Sequence, residues 1–283
     1  MRRSGWYPGL PMRQYRIAAW DLTKRKASFR FSPEVRVSMA TTATEALAEP
    51  QRRRVLGIPV DVTADVLSAA CRLQAAGGGQ IVTLNAEMTM AARLDRPLAK
   101  AIEAAQLVIP DGAGVVWALA RQGVRVRRSP GSELARDLLS HAAAQGWRVA
   151  LVGGTPVVME QLVVRLPQQC PGLRLVFSAH GYQDPGQWPE LEAQLLAAQP
   201  DLVLVALGIP RQETWSSRLS QGCGGLWMGV GGSFDVWTGQ KKRAPRWMGA
   251  LQVEWLYRLI QEPHRWRRML ALPQFALAVL FNR

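Results

Sequence analysis

Asp111 is the side chain whose position most readily suggests chemistry. It lies in Leu107–Gly114, LVIPDGAG, where an apolar run ends at Pro110 and two glycines follow. Pro110 has no N–H to extend a strand ladder, and Gly112 and Gly114 free the backbone for a tight turn. Val115, Val116, Leu119 and Ala120 then recur at helical spacing. A carboxylate between the end of a strand and the start of a helix stands where open α/β sheets bind ligands, and partial desolvation suits it to general base work. The competing reading is structural, because Asp is among the best helix N-caps.

Four other stretches have the same strand-to-helix character. In Thr83-Leu84-Asn85-Ala86-Glu87, alternation puts Thr83 and Asn85 on one side of the crest, beside Asp111 if the two strands are neighbours. Asn85 is equally a cap with Glu87 in the first turn. Gly153-Gly154-Thr155-Pro156 offers close backbone approach, a cap and a proline at the first helical position, so its N–H groups suit a phosphate. It is neither GxGxxG nor a P-loop. Gly208-Ile209-Pro210-Arg211-Gln212-Glu213 ends another apolar run with a Gln-Glu pair able to bond sugar hydroxyls. In Gly229-Val230-Gly231-Gly232-Ser233-Phe234-Asp235, Asp235 either accepts from a ribose or base or holds the turn.

No D-x-D triplet occurs, and His141, His180 and His264 are scattered, so no metal site is expected. Arg258, Arg265 and Arg268 are candidates to compensate a diphosphate, because guanidinium forks match phosphate oxygens in pairs.

The elements that position these residues alternate. Strands are expected at 55–62, 80–84, 107–109, 148–152, 173–178, 202–207 and 226–230. Helices are expected at 64–76, 87–104 (weakened by Pro97), after 114, at 132–145 with Ser132 as cap, and at 156–166, 188–198 and 212–220. Strands apolar throughout and separated by helices mean a parallel sheet covered on both faces, a Rossmann-like α/β domain over 55–240.

Composition sets the flanks apart. Of the net +14, residues 1–54 hold +8, residues 55–240 hold −1 and residues 241–283 hold +7. Basic ends around a neutral centre suit an anionic membrane surface better than a nucleic-acid-binding face. Residues 1–54 read as a basic, disordered extension. Residues 241–283 read as a basic amphipathic helical appendage, with Trp247, Trp255 and Trp266 suited to a headgroup interface, the alternative being a helix that packs on its own domain or on a neighbouring subunit. Deleting this appendage is expected to leave a soluble fold. The longest apolar stretch, Met269–Phe281, is interrupted by Pro273 and Gln274 and falls short of the ~20 residues a spanning helix needs. Three distant cysteines (Cys71, Cys170, Cys223) read as reduced core residues. A cytoplasmic protein peripheral to the inner membrane face is expected.

Taken in order, TLNAE (83–87), PDGAG (110–114), GG (153–154), HGY (180–182), GIPRQE (208–213), GVGGSFD (229–235), RAPRWM (243–248) and EWLYRLIQEPHRWRR (254–268) are similar to the motifs of the WecG/TagA/CpsF glycosyltransferase family. The resemblance implies metal-independent, inverting transfer of an N-acetylmannosamine-type sugar from a UDP-sugar to a polyprenyl-diphosphate-linked N-acetylglucosamine, for cell-surface polysaccharide, with no further cofactor. Carried over, Asp111 is the base, with Thr83 and Asn85 lining its pocket. Gln212 contacts sugar or acceptor, and Asp235 matches the nucleotide end. Gly153, Gly154, Gly208, Pro210, Glu213 and Gly232 belong to the substrate-binding set. Arg258, Arg265 and Arg268 close over the diphosphate. Partners are then the two substrates and the membrane, without nucleic acid, and a homo-oligomer is compatible. The turn after Asp235 reads Val236-Trp237-Thr238-Gly239, where the family usually has Ala before the Gly. Competing readings are a glucosyl or uronic-acid transferase of capsule or exopolysaccharide assembly, and a non-enzymatic membrane or nucleic-acid adaptor. A Rossmann oxidoreductase lacks its dinucleotide fingerprint.

Overall fold

Four apolar stretches dominate the centre of the molecule: Leu107–Pro110 (β4), Arg148–Gly153 (β5), Leu202–Ala206 (β7) and Leu226–Gly229 (β8). With Gly79–Leu84 (β3) and Arg174–Ala179 (β6) they form one parallel sheet in the order β4-β3-β8-β7-β5-β6. The computed structural model describes residues 49–242, 245, 248, 254–261 and 266–281, so most of the expected N-terminal extension lies outside the described residues.

Alternation along each strand divides the core. Ile81, Ile109, Leu151, Leu204 and Met228 face one side, under Val66–Ala75 (α1), Gly131–Gln145 (α5), Pro156–Gln169 (α6) and Ser233–Trp237 (α9). The opposite face holds two separate apolar clusters. Val82, Leu84 and Val108 pack under Ala86–Leu94 (α2), Arg96–Ala104 (α3) and Ala113–Arg121 (α4). Val152, Val203, Val205 and Trp227 pack under Trp188–Ala197 (α7) and Arg211–Leu219 (α8).

Several boundaries differ from the sequence-based expectation. The single strand expected at 55–62 is an antiparallel hairpin, Gln51–Val55 (β1) and Ile58–Val62 (β2). It turns at Leu56 and Gly57 with φ of 51° and 85°, the doubly left-handed turn that matches strand twist. Ordered structure therefore begins upstream of the expected start at Val55. The helix expected at 87–104 breaks in two at Asp95, which closes α2 and caps α3 by accepting from Leu98 N–H at 3.0 Å, with Pro97 in the first turn. Ser132 is not the cap of α5. Pro130 holds that position, without a side-chain hydrogen bond.

The hairpin covers the β4 edge through one buried carboxylate. Asp61, 3% exposed, accepts from the Val108 backbone N–H at 2.7 Å and from Arg52 Nε and Nη2, both at 2.9 Å. Arg52 also reaches the Ala105 carbonyl, and Asp61 holds its guanidinium well above the ordinary range.

The C-terminal helix Ala271–Phe281 corrects the picture of a detachable appendage. Phe275 is 2% exposed in the cluster under α2 and α4, with Leu272 and Val279 packed against the same cluster. Deleting 241–283 would strip that cover and expose apolar core, so point variants test this segment more cleanly than truncation.

Asp61→Ala would leave the Val108 N–H without its acceptor and the Arg52 guanidinium with the Ala105 carbonyl but no carboxylate. The expected loss of unfolding free energy is about 3 kcal/mol, read from urea midpoints, with Asp61→Asn losing less.

Candidate active site

Pro110 ends β4, and the chain turns at once. Asp111 N–H donates to the Leu84 carbonyl at the end of β3 (2.9 Å), pinning the two strand ends together. The helix that follows, α4, is capped by Gly112 without a side-chain hydrogen bond, so Asp111 does not cap its own helix. Its Oδ1 instead accepts from Gly131 N–H at 2.9 Å, the first residue of α5. A helix start has N–H groups without intrahelical partners, and Pro130 offers no side-chain acceptor. Asp111 supplies that acceptor from across the crest, and Ser129 N–H, donating to the Pro110 carbonyl at 2.9 Å, fastens the same loop.

Gly131 is required by proximity. A Cβ there would lie 2.6 Å from Thr83 Cγ2, so only glycine lets α5 descend onto β3. Thr83 is half-buried in β3, opposite Ile109 of β4 in register. Asn85 follows one residue after the carbonyl that receives Asp111 N–H, and its Oδ1 caps α2 by accepting from Met88 N–H at 2.9 Å. Thr83, Asn85 and Asp111 are thus brought together as the sequence led us to expect, and Asn85 is also a cap. Glu87, in the first turn of α2, pairs with Arg268 at 3.5 Å. That contact brings one of the three expected arginines to this end of the crest. Arg258 falls within the helix Glu254–Gln261, and Arg265 lies outside the described residues.

The remaining glycine motifs end strands β5, β7 and β8 on the same edge of the sheet. From β5 the chain proceeds outward to β6, whereas from neighbouring β7 it returns to β8. Connections that diverge between adjacent strands mark the switch point at which open α/β sheets hold ligands. Gly153 has φ of 116°, and a Cβ there would run into the Ala206 carbonyl at the end of β7. Gly154 N–H donates to that carbonyl at 3.0 Å, and the Gly154 carbonyl accepts from Gly181 N–H at 2.8 Å. Thr155 caps α6 by accepting from Val158 N–H. Gly208, Pro210 and Gly232 are exposed on this crest, and the Ile209–Pro210 peptide is cis. Asp235, partly buried in α9, pairs with Lys241 at 3.8 Å.

Gln212 and Glu213 turn inward, unlike the sugar-contacting pair expected from sequence. They are 3% and 2% exposed. Gln212 Oε1 accepts from Gly208 N–H at 3.2 Å, and its Nε2 donates to Glu213 Oε1 at 2.7 Å. Burial pushes the Glu213 carboxyl up to about 7, against the lowering effect of the Gln212 N–H.

Asp111 on β4 and the glycine pair on β5 stand four strand spacings apart, about 19 Å. An extended ligand can therefore lie along the crest with one end at each. Two surface cavities, of about 360 Å³ beside Leu56, Arg121 and Leu280 and about 760 Å³ between α3 and α8, contain none of the crest residues. Among the described residues, no group of three or more His, Cys, Asp or Glu is placed to hold a metal ion.

The start of α5 is the part that sequence reasoning missed. Its signal was present in Ser129-Pro130-Gly131, a proline and a glycine opening a helix with no capping side chain. Gly181, part of the HGY motif, packs on the Gly153–Gly154 turn, a contact its spacing in sequence does not disclose.

The family model described as "Glycosyl transferase WecG/TagA/CpsF family" matches residues 53–283. The chain is 36% identical over 205 residues, 72% of its own length and 79% of the relative's, to the N-acetylglucosaminyldiphosphoundecaprenol N-acetyl-beta-D-mannosaminyltransferase of Bacillus subtilis (strain 168). It is 34% identical, with the same coverage, to the protein of the same name from Bacillus spizizenii.

Asp111→Ala would leave the α5 start uncapped and is expected to cost about 1 kcal/mol of stability. Asp111→Asn keeps an acceptor oxygen for Gly131 N–H and should melt near the wild-type temperature, as calorimetry of the two variants would show.

Proposed function

Because the chain belongs to the WecG/TagA/CpsF glycosyltransferase family, we propose that it moves an N-acetylmannosamine-type sugar from a UDP-sugar to a polyprenyl-diphosphate-linked N-acetylglucosamine. The observation that carries this reading is the oriented Asp111 carboxylate, flanked by Thr83 and Asn85, at one end of a crest whose other end is glycine backbone. The nucleotide diphosphate lies over the β5, β7 and β8 loops, where backbone N–H groups at helix starts suit phosphate. Asp235 and Gly232 belong to that end. The sugar extends toward β3.

Asp111 takes the proton from the acceptor hydroxyl as its oxygen attacks the anomeric carbon. The bond to the UDP oxygen breaks on the opposite face, which inverts the configuration. A positioned base contributes about 10²–10⁴-fold. Arg258, Arg265 and Arg268 offset the charge on the departing diphosphate, a role preorganised cations fill well. The contact of Arg268 with Glu87, next to the Asn85 end of the crest, supports its part in this. The proposed reaction is independent of a metal ion, with the guanidiniums taking the place a divalent cation would fill.

The acceptor is lipid-linked, and the C-terminal segments suit a peripheral contact with the inner membrane face. No helix among the described residues is long and apolar enough to cross a membrane. Ile260, Trp266, Leu270, Leu277 and Phe281 are exposed, in a region of net charge +7. Apolar side chains beside basic ones bind anionic headgroup regions.

Mass spectrometry of the lipid-linked product, formed from a panel of UDP-sugars, identifies the donor. An N-acetylhexosamine adduct is expected, and a uronic-acid or hexose adduct would select the competing transferase reading. Asp111→Asn should lower turnover by about 10²-fold or more while the fold persists. Full-speed transfer by this variant, or loss of wild-type activity in a chelator, would rule the mechanism out.

A further inference from the structure

Helix α8, Arg211–Leu219 (RQETWSSRL), is among the most polar helices in the chain, yet it buries Gln212, Glu213, Trp215, Ser216 and Leu219. It meets Gln80 of β3 and Trp227 of β8, which are partners in register on the sheet. Gln80 is 2% exposed, and its Nε2 donates to the Glu213 backbone carbonyl at 2.9 Å. These residues form a polar seam between the two apolar clusters on this face. Within the seam, Glu213 Oε2, Gln80 Oε1, Ser216 Oγ and Trp227 Nε1 are all buried without a hydrogen-bond partner.

A buried polar side chain without a partner is costly, so the seam is retained for something other than packing. Its connections lead to the crest. Glu213 Oε1 holds the Gln212 amide nitrogen, and the same amide's oxygen holds Gly208 N–H. Resting on the donor-binding reading above, we propose that Glu213 is a positioning residue for the UDP-sugar. Through the Gln212 amide it fixes the Gly208–Pro210 loop at the nucleotide end, and it does not touch substrate itself.

Below pH about 7 the carboxyl is protonated, and its O–H is then a donor in a seam where Gln80 Oε1 also lies unpartnered. Strands β3, β7 and β8 bring no titratable side chain to it. On the neighbouring helices, Arg211 lies over the Trp188 ring and Arg218 pairs with Glu192. Arg96 and Lys100 are exposed, Glu103 pairs with Arg54, and Glu190 is exposed on α7. Burial thus raises the carboxyl from its ordinary 4.5 to about 7.

Glu213→Leu and Glu213→Gln test the assignment in steady-state transfer with the UDP-sugar varied. Glu213→Leu should raise the UDP-sugar KM about tenfold, with kcat and the acceptor KM nearly unchanged. Glu213→Gln keeps both an acceptor and a donor, and should recover most of that loss. An unchanged donor KM in Glu213→Leu, or equal damage in both variants, overturns the proposal. If Glu213→Leu does not fold, Glu213→Met, an unbranched side chain of similar length, takes its place, and an unchanged donor KM there overturns the proposal equally. Hydrogen exchange of the Gly208 amide, faster in Glu213→Leu than in Glu213→Gln, reads the coupling without substrate. Absence of UDP binding by the wild type in calorimetry would instead remove the functional reading, leaving the exchange result to judge the seam alone.

Discussion

The hydrogen bond from Gly131 N–H to the Asp111 carboxylate is the contact on which the site depends. Helix α5 opens at a proline and a glycine, so it brings unpaired donors and no capping side chain of its own. The acceptor comes from the end of β4. The missing Cβ of Gly131 lets the helix settle onto Thr83, and strands β3 and β4 and helix α5 meet at one point. A side chain held in this way has lost its rotamer freedom on folding, before any substrate arrives. Capping and base catalysis are therefore not rival readings of Asp111. One arrangement caps a helix distant in sequence and leaves the same carboxylate oriented for the proposed base role.

The other end of the crest follows the opposite logic. There the exposed groups are glycine and proline backbone, and the polar side chains Gln212 and Glu213 are turned into the core. In the proposed reaction the diphosphate accepts from N–H groups in many orientations, so helix-start N–H groups suffice to receive it, other than those of Gly154 and Gly208, which the Ala206 carbonyl and the Gln212 amide already hold. A sugar hydroxyl must instead meet one atom at one angle, which calls for a braced side chain. The two ends thus differ in what must be rigid. At Asp111 it is a functional group, and at Gly208 it is the path of the chain.

Much of the frame is legible in the order of the residues. Buried parallel strands are apolar throughout, so LVI, VALV and LVLV announce themselves, and the glycines after them mark the common edge. Thr83, Asn85 and Asp111 can be grouped because alternation and adjacency are local rules. The hairpin strand Gln51–Val55 cannot be read in that way, because four of its five residues are exposed and polar. It is held by Arg52 on Asp61 across the hairpin and by Arg54 on Glu103, 49 residues away in sequence. Ser132 looks like a cap because capping propensity is local, whereas the true acceptor for α5 lies 20 residues upstream. Glu213 looks available to a sugar hydroxyl for a similar reason. A polar helix reads as a surface helix, and only the pairing of Gln80 with Trp227 across β3 and β8 shows what lies beneath α8.

The C-terminal segment shows how a transferable charge can be combined with a fixed address. Phe275 is enclosed among α2 and α4, and removing a buried phenylalanine of this kind costs about 3–5 kcal/mol. The ion pair of Arg268 with Glu87 is half exposed at 3.5 Å, and contacts of that type are worth at most about 1 kcal/mol. The apolar anchor, and not the ion pair, therefore decides where the arginine resides. Glu87 holds the guanidinium only lightly, at the start of α2 beside Asn85. In the proposed reaction a departing diphosphate offers more charge than one carboxylate, and so outcompetes Glu87 without unseating the helix. A tighter hold on Arg268 would oppose its transfer to the diphosphate, and a looser anchor would let the segment leave the crest. A weak charge pair shortly before a strongly buried anchor is what the proposed neutralising arginine requires.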